Sequence, residues 1–140
     1  MKKNTKLNLE FVENAPKYYE FIRKLRNNPV VKRGFIQQGN ISKSQQLLYM
    51  KKNQNNYFLC LSGDKPVGYV GVIEDDIRIA VLPEFQGKNI GLFLIKNVMK
   101  KYKTLQAKIK IENEASLHLF KKAGFKMKYY LFEYNQKEAK

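Results

Sequence analysis

Residues 79–91 read IAVLPEFQGKNIG. A short apolar strand runs through a turn into a helix at the point where Gly87 and Gly91 leave the backbone without a Cβ, so a ligand can approach the main chain. The first N–H groups of a helix have no partner within the helix and lie at the positive end of its dipole. The stretch therefore predicts a site for a phosphate or pyrophosphate.

The length and composition predict one domain over residues 1–140, with a core that needs neither a metal nor disulfides. Cys60 is the single cysteine, which excludes an intrachain disulfide and a cysteine-based metal centre, and we expect no metal site. The basic N-terminus is not followed by an apolar segment, and no apolar run approaches the ~18 residues of a membrane span. We therefore expect a soluble, cytoplasmic protein with no membrane partner.

The charge balance is strongly basic: 27 lysines and arginines stand against 12 aspartates and glutamates, so the net charge is +15. This charge favours anionic ligands, which include nucleic acid, phosphorylated cofactors, nucleotide-linked substrates and acidic membranes. The basic residues are spread through the chain, and a biased genome composition would explain them equally well. Charge alone therefore does not select the partner.

Hydrophobic periodicity and turn residues predict the element order β-α-α-β-β-β-α-β-α-β. The first six elements are a strand at 6–12, helices at about 16–26 and 42–52, and strands at 57–61, 66–73 and 76–82, with a loop at 30–40. The last four are a helix from the glycine turn to about 102, a half-exposed strand at 104–111, a helix at 114–123 and an aromatic strand at 125–134. We expect Asn113 and Gly124 to cap the last helix.

A second stretch, residues 113–125, reads NEASLHLFKKAGF. The two stretches together resemble the GNAT superfamily of N-acetyltransferases: the first is similar to its acetyl-CoA pyrophosphate loop, the second to its Asn-x-x-Ser…Gly-Phe helix. Either motif alone is common, but both occur here with the matching element order over nearly the whole chain. The resemblance implies a single-domain α/β (α+β) GNAT fold. Its central sheet would be mixed, mostly antiparallel, splayed between strands 4 and 5, and flanked by helices.

The resemblance also implies acetyl-CoA as the co-substrate. The residues that match the pyrophosphate loop are Gln86, Gly87, Lys88, Asn89, Ile90 and Gly91. Asn89 stands where glycine is usual, and Asn tolerates left-handed dihedral angles better than most residues. The strand that pairs with the pantetheine arm is matched by Ala80, Val81 and Leu82, and the remaining predicted cofactor contacts are Asn113, Ser116 and Phe120. Asn113 is equally well explained as a plain helix cap.

The resemblance implies direct attack of an amine on the thioester. This reaction requires a neutral amine, a polarised carbonyl and a proton for the thiolate. Asp76 matches the acidic residue that the family often has on the fourth strand, so we predict that it acts as the base, directly or through water. Glu74 and Asp75 are the alternates. All three are also consistent with ordinary carboxylates of a turn and a strand end.

Phe120 stands where the family usually has the tyrosine thought to protonate the leaving thiolate, and a phenyl ring has no proton to donate. Three explanations are open. Water protonates a thiolate whose thiol pKa is about 8.5; Ser116, Tyr129 or Tyr130 replaces the tyrosine; or the domain binds CoA without turnover. We favour the first two together. His118 lies two residues from Phe120 on a helix, so we expect it to face solvent.

The acceptor should lie between the first two helices, the 30–40 loop and the last strand. Residues 26–29 and the helix after Ile41 resemble the N-terminal half of GNAT enzymes that acetylate nucleotide-linked amino sugars. The phosphates of such an acceptor would explain part of the positive charge. The predicted substrate contacts are Arg26, Asn27, Lys32 and Arg33, with Arg23 as a further candidate. A protein or peptide amine, or another small amine, is the alternative acceptor.

A basic nucleic-acid-binding module is a rival reading. Lys108 and Lys110 lie on one face of a predicted strand, and the aromatic residues of 129–134 would lie nearby, as in an aromatic platform. Aromatic residues on a strand are more often part of a core, and no standard RNA-binding signature is present. We therefore expect no nucleic-acid partner.

The segment that follows Gly124 is shorter than the closing hairpin usual in the GNAT family. The last strand is then either absent or replaced by pairing with a second subunit at an exposed sheet edge. From this we predict a homodimer.

Overall fold

The computed structural model describes residues 7–138, in which one four-stranded sheet is flanked by helices. The strands are β1 (Leu9–Glu13), β2 (Tyr57–Ser62), β3 (Lys65–Ile73) and β4 (Asp76–Val81), in the order β1-β2-β3-β4, and every neighbouring pair is antiparallel. The helices are α1 (Tyr19–Asn27), α2 (Pro29–Lys32), α3 (Lys43–Asn53), α4 (Ile90–Met99) and α5 (Glu114–Ala123). The strand predicted at 6–12 corresponds to β1, and residue 6 lies outside the described residues.

Tight turns join the three long strands. Glu74 and Asp75 have φ angles of 50° and 66°, so both central residues of the β3–β4 connection are left-handed. Two such residues give a hairpin turn whose twist matches that of the flanking strands. This confirms the turn predicted at these two positions and places β4 antiparallel to β3.

The sheet separates two layers of helices, because successive side chains of a strand face opposite sides. On one side, Ile77 of β4 packs in a core with α4 and α5. On the other side, Ala80 of β4 packs in a core with α1, α2 and α3. Cys60 is fully buried in the first core, where burial raises the pKa of its thiol to about 11. Strand β4 therefore contributes to both cores.

The helix ends follow the capping residues of the sequence. The Ser42 hydroxyl accepts from the Gln45 amide while the Gln45 side chain accepts from the Ser42 amide, a capping box that starts α3. Helix α5 begins after Asn113 and ends at Gly124, which has a φ of 103°. Both ends of α5 are confirmed as predicted.

Helix α2 lies in the segment predicted as a loop. The Asn28 side chain accepts hydrogen bonds from the amides of Val30 and Val31, and Pro29 occupies the first helical position. Both features favour a helix start. The helix has four residues, too few for a hydrophobic period to be visible in the sequence.

The strand predicted at 104–111 is not formed. This segment meets β4 at one parallel bridge, between Asp76 and Gln106. The Ile77 amide donates to the Gln106 carbonyl at 2.8 Å, and the Gln106 amide donates to the Asp75 carbonyl at 2.7 Å. Beyond this bridge no further pairing joins the segment to β4, so the sheet opens beside its fourth strand, as the resemblance implied. The described strands are all antiparallel, so the sheet is not mixed, and no fifth strand forms after β4 in the described part of the chain.

The aromatic strand predicted at 125–134 is also absent. Residues 125–134 have no strand assignment, and Tyr129, Tyr130 and Phe132 are exposed. The aromatic platform considered for nucleic acid is therefore not part of the described sheet. Among residues 7–138, no helix has the length and apolar character that a membrane crossing requires.

Candidate active site

A groove with a volume of about 990 Å³ crosses the molecule at β4. Its floor is β4, one wall is formed by α1, α3 and residues 34–41, and the other by residues 85–92 and the first turns of α5. A ligand held by the glycine-containing turn and a ligand held by α1 and α3 would therefore meet over β4.

The turn before α4 has the geometry of an anion site. Gly87 has a φ of 79° and open space around it, so the left-handed backbone is what requires glycine there. Asn89 has a φ of 65° and directly precedes α4, but its side chain makes no capping hydrogen bond. The first N–H groups of α4 consequently lack this side-chain partner, as an incoming anion requires.

Gly91 has a packing role. A Cβ at this position would lie 2.9 Å from Leu119 Cδ2, so the absence of a side chain lets α4 approach α5 closely. The glycine turn and the first turn of α5 line the same groove. Gly91 thus serves the shape of the groove whether or not its backbone touches a ligand.

Most of the predicted cofactor residues line the groove. They are Ala80, Val81, Gln86, Gly87, Asn89, Ile90, Gly91, Asn113, Ser116 and Phe120. Leu82 and Lys88 do not: Leu82 packs against both cores, and the Lys88 ammonium lies 5.5 Å from the Phe85 ring centroid. The roles of these residues towards acetyl-CoA remain predictions.

Asn113 joins α5 to the opposite side of the groove. Its Oδ1 accepts from the Ser116 amide at 3.1 Å, and its Nδ2 donates to the Gly34 carbonyl at 3.4 Å. The predicted helix cap is therefore present, and the same side chain ties α5 to the segment after α2.

The three candidate carboxylates lie in different places. Asp76 lines the groove, and its Oδ1 is buried with no hydrogen-bond partner among the described residues. Glu74 and Asp75 are exposed in the β3–β4 turn and do not line the groove. The Thr104 hydroxyl donates to Asp75 Oδ2 at 3.1 Å. Of the three, Asp76 alone is positioned to receive a proton from a groove ligand.

The candidates for a proton donor are also separated. Phe120 is 5% exposed, lines the groove and packs edge-on against Phe125 at 5.1 Å between ring centroids. Ser116 lines the groove one turn earlier on α5. Tyr129 is 84% exposed and, like Tyr130, does not line the groove, although Glu133 of the same segment does. The structure therefore does not bring Tyr129 to the site.

Of the predicted substrate residues, Arg26 lines the groove and the others do not. The Asn27 amide group exchanges two hydrogen bonds of 2.8 Å with the main chain of Ile41. Lys32 Nζ donates to Asn40 Oδ1 at 2.9 Å, and Arg33 Nε donates to the Pro29 carbonyl at 3.3 Å. These side chains hold the 33–41 segment in place.

Arg23, the further candidate, is engaged elsewhere. Its guanidinium forms a salt bridge with Glu20 at 2.8 Å on α1, and it also donates to the Ile41 carbonyl at 3.3 Å. It therefore supports the same segment as Asn27 and does not line the groove.

Among the groove residues that sequence reasoning missed are Tyr49, Tyr57, Tyr69 and Arg78. Tyr57, Tyr69 and Arg78 lie in apolar or alternating strand sequences. A tyrosine in such a sequence is more often part of a core, so the pattern did not indicate a ligand site. These three strand residues share the face of the sheet that packs on α1, α2 and α3. This face becomes recognisable only once the strand register is known.

A sequence model of the acetyltransferase (GNAT) family matches residues 19–125. An uncharacterized N-acetyltransferase of Methanocaldococcus jannaschii is 26% identical in a 96-residue alignment, and the match covers 56% of this chain and 42% of the relative. The chain thus spans less than half the length of this curated relative.

Two solved structures have the same architecture. Spermidine N-acetyltransferase from Vibrio cholerae, in complex with CoA and spermine, has a TM-score of 0.76 at 22% identity, over 88% of this chain and 83% of that chain. An aminoglycoside N-acetyltransferase in complex with CoA has a TM-score of 0.70 at 14% identity, over 96% and 99%. These likenesses confirm the predicted fold. Because the family match includes both the glycine turn and α5, this chain belongs to the acetyltransferase (GNAT) family.

Proposed function

We propose that this chain, as one acetyltransferase domain, transfers an acetyl group from acetyl-CoA to the amino group of a nucleotide-linked amino sugar. The observation that carries the proposal is that one continuous groove of the described residues crosses β4. It has a glycine turn with free helix N–H groups at one end and basic and aromatic side chains at the other. Two substrates bound at these ends would react over Asp76 to Val81.

The cofactor end fits the pyrophosphate of acetyl-CoA, which supplies the acetyl group as a thioester. The left-handed residues Gly87 and Asn89 turn the main chain so that the start of α4 faces the groove. Backbone N–H groups at a helix start bind phosphate oxygens well. Ala80 and Val81 of β4 then offer main-chain groups to the pantetheine arm, where the sheet has opened away from residues 107–111.

The reaction needs a neutral amine. We assign Asp76 as the base that takes the proton of the acceptor ammonium, directly or through a water, since its buried Oδ1 has no partner among residues 7–138. The amine nitrogen then bonds to the carbonyl carbon, the C–S bond breaks to leave the CoA thiolate, and the nitrogen releases its second proton to water. The thiolate takes its proton from water or from the Ser116 hydroxyl, which lines the groove and would replace the phenol that Phe120 lacks.

The charge of the groove supports an acceptor with phosphate groups. The structural neighbours named above act on spermidine and on aminoglycosides, which are polycations. Here the charged residues that line the groove are Arg26, Arg78 and Lys108 against Asp76 and Glu133, in a chain of net charge +15. An excess of positive charge disfavours a polycation and favours an anionic acceptor.

The test is a turnover screen that measures thiol release from acetyl-CoA with nucleotide-linked amino sugars, the corresponding free sugars, spermidine and peptides as acceptors. Because burial holds the thiol of Cys60 protonated, a thiol reagent should report free CoA with little background. We expect turnover with a nucleotide-linked amino sugar and none with its free sugar. Turnover on peptides alone would overturn the acceptor, and failure to bind acetyl-CoA would overturn the activity.

A further inference from the structure

Five groove side chains cluster where the sheet faces α1 and α3. They are Arg26, Tyr49, Tyr57, Tyr69 and Arg78, which we call the Arg–Tyr wall. Two strands, β3 and β4, supply Tyr69 and Arg78, β2 supplies Tyr57, and the helices supply Arg26 and Tyr49. The wall therefore depends on the folded arrangement of five elements.

The strand register explains the centre of the wall. Tyr57 of β2 pairs with Gly71 of β3, and Gly71 pairs with Arg78 of β4, so the three residues form a row across one face of the sheet. Gly71 has no side chain in this row, and a Cβ there would lie 2.4 Å from Tyr57 Cε2. The Tyr57 ring consequently lies over Gly71, and its hydroxyl is 2.8 Å from that of Tyr49.

Tyr57 and Tyr69 stay neutral at physiological pH. Burial raises the pKa of Tyr57 and of Tyr69 far above the usual value, and the positive charges of nearby Arg26 and Arg78 only partly oppose this for Tyr69. Neutral phenols do not cancel the charge of the arginines. The wall therefore presents two guanidinium groups and hydroxyl donors together.

Arg26 has unused hydrogen-bonding capacity. Its guanidinium carbon lies 4.7 Å from the Phe35 ring centroid, and Nη2 donates to the Gln37 carbonyl. Nη1 is buried and has no partner among residues 7–138. A buried guanidinium N–H without a partner costs free energy, which an anionic oxygen entering from the groove would recover.

Arg78 is only weakly engaged. Its Nε lies 3.7 Å from Asp76 Oδ2, longer than a charge-assisted hydrogen bond, and its side chain is 48% exposed. A ligand with phosphate oxygens would reach this guanidinium without displacing a strong ion pair. It would also leave the Asp76 carboxylate free for the amine.

We infer that the Arg–Tyr wall is the subsite that binds the phosphate groups of the acceptor, with Arg26 and Arg78 as specificity-determining residues. The inference rests on the proposed function, since it names how that acceptor is held. Phosphates at Arg78 would hold the acceptor over β4, beside Asp76. A polycationic amine would meet two arginines at the same place and be rejected.

Calorimetric titration of the CoA-saturated protein with UDP, inorganic pyrophosphate and uridine tests this subsite. UDP and pyrophosphate should bind, and uridine should not. Arg78→Gln and Arg26→Gln should each weaken UDP binding about tenfold, the size expected for a hydrogen bond to a charged group. In turnover, both variants should raise the KM of the nucleotide-linked acceptor and leave the KM of acetyl-CoA unchanged.

Lys24→Gln is the matched control, because it removes one positive charge from α1 at an exposed position outside the groove. It should leave UDP binding unchanged. Arg78→Lys keeps the charge and should recover part of the affinity, and thermal unfolding establishes that each variant is folded. Equal binding of UDP and uridine, UDP binding unaffected in the folded Arg78→Gln protein, or no binding of UDP would overturn the subsite. If the unmodified protein did not bind CoA, the proposed function itself would be overturned.

Discussion

Asp76 differs from its two acidic neighbours in where its side chain lies. It sits at the start of β4, and its Oδ1 is buried beside the groove without a partner among the described residues. Asp75, one residue earlier, is exposed and accepts a hydrogen bond from Thr104. A general base must be within reach of the ligand before its charge matters.

We expect Asp76→Asn to lower kcat by about 10²–10⁴, the range typical of a lost general base, with little change in the KM of acetyl-CoA. The defect should shrink as pH rises, because more of the acceptor amine is then already neutral. Steady-state kinetics from pH 6 to 10 measure both effects. Asp75→Asn makes the same chemical change at the adjacent residue and should lower kcat less than about twofold. A small loss for Asp76→Asn at all pH values would contradict the assignment.

The residue types in the site were predictable from the sequence, and their partners were not. Gly87 and Asn113 were identified because their roles depend on local backbone geometry. Asn27, Lys32 and Arg33 have the expected chemistry, but each is engaged with the main chain or side chain of residues 29–41. Tyr57 and Arg78 were missed because their proximity depends on a register across three strands.

At the scale of elements, the packing of β2, β3 and β4 depends on Gly71. A Cβ on this residue would lie 2.4 to 2.7 Å from three atoms of the Tyr57 ring, which is itself buried. Ring atoms cannot rotate out of the way as the end of a flexible side chain does. Either the ring or β3 would have to move.

Gly71→Ala should therefore lower the free energy of unfolding by about 1–3 kcal/mol, the usual cost of overpacking a core. This outweighs the ~0.4–1 kcal/mol that Ala gains by restricting the unfolded chain. Chemical denaturation measures the difference. Gly39→Ala is the control, because a Cβ there meets no atom within 4 Å. Equal stabilities of the two variants would show that the ring relaxes freely.

Elements that are specified locally were predicted well, and elements that need a partner were not. Helix α5 has its cap, its period and its closing glycine within one stretch, so both ends were correct. Residues 104–111 alternate as a strand does, but a strand also requires a neighbour to pair with. Within this segment only Gln106 pairs with β4, so the alternating pattern alone predicted a strand that does not form. Residues 125–134 were overestimated for the same reason.

For the whole molecule, the apolar surface of residues 127–134 is the main unexplained feature. The exposed side chains are Met127, Tyr129, Tyr130, Leu131, Phe132 and Tyr134, with exposed fractions from 63% to 92%. Large side chains bury roughly 150 Å² or more each. Six of them offer an area on the order of the ~800 Å² that each partner contributes to a standard interface. We propose that a second copy of this chain covers this segment.

The net charge of the protein predicts how this dimerisation depends on salt. Two copies with a net charge of +15 repel each other, and salt screens that repulsion, with a Debye length of about 10 Å at 0.1 M. The dimer fraction, measured by light scattering during size exclusion, should therefore rise between 50 and 500 mM NaCl. A double variant, Tyr129→Ser with Phe132→Ser, should be monomeric at every salt concentration and still bind CoA. The control variant Leu48→Ser, which changes an exposed residue of α3, should dimerise as the unmodified protein does.

A monomeric mass for the unmodified protein at every salt and protein concentration would exclude the second copy. Salt-strengthened association that is lost only in the double variant would assign the interface to residues 127–134, since ionic attraction between copies would weaken with salt instead.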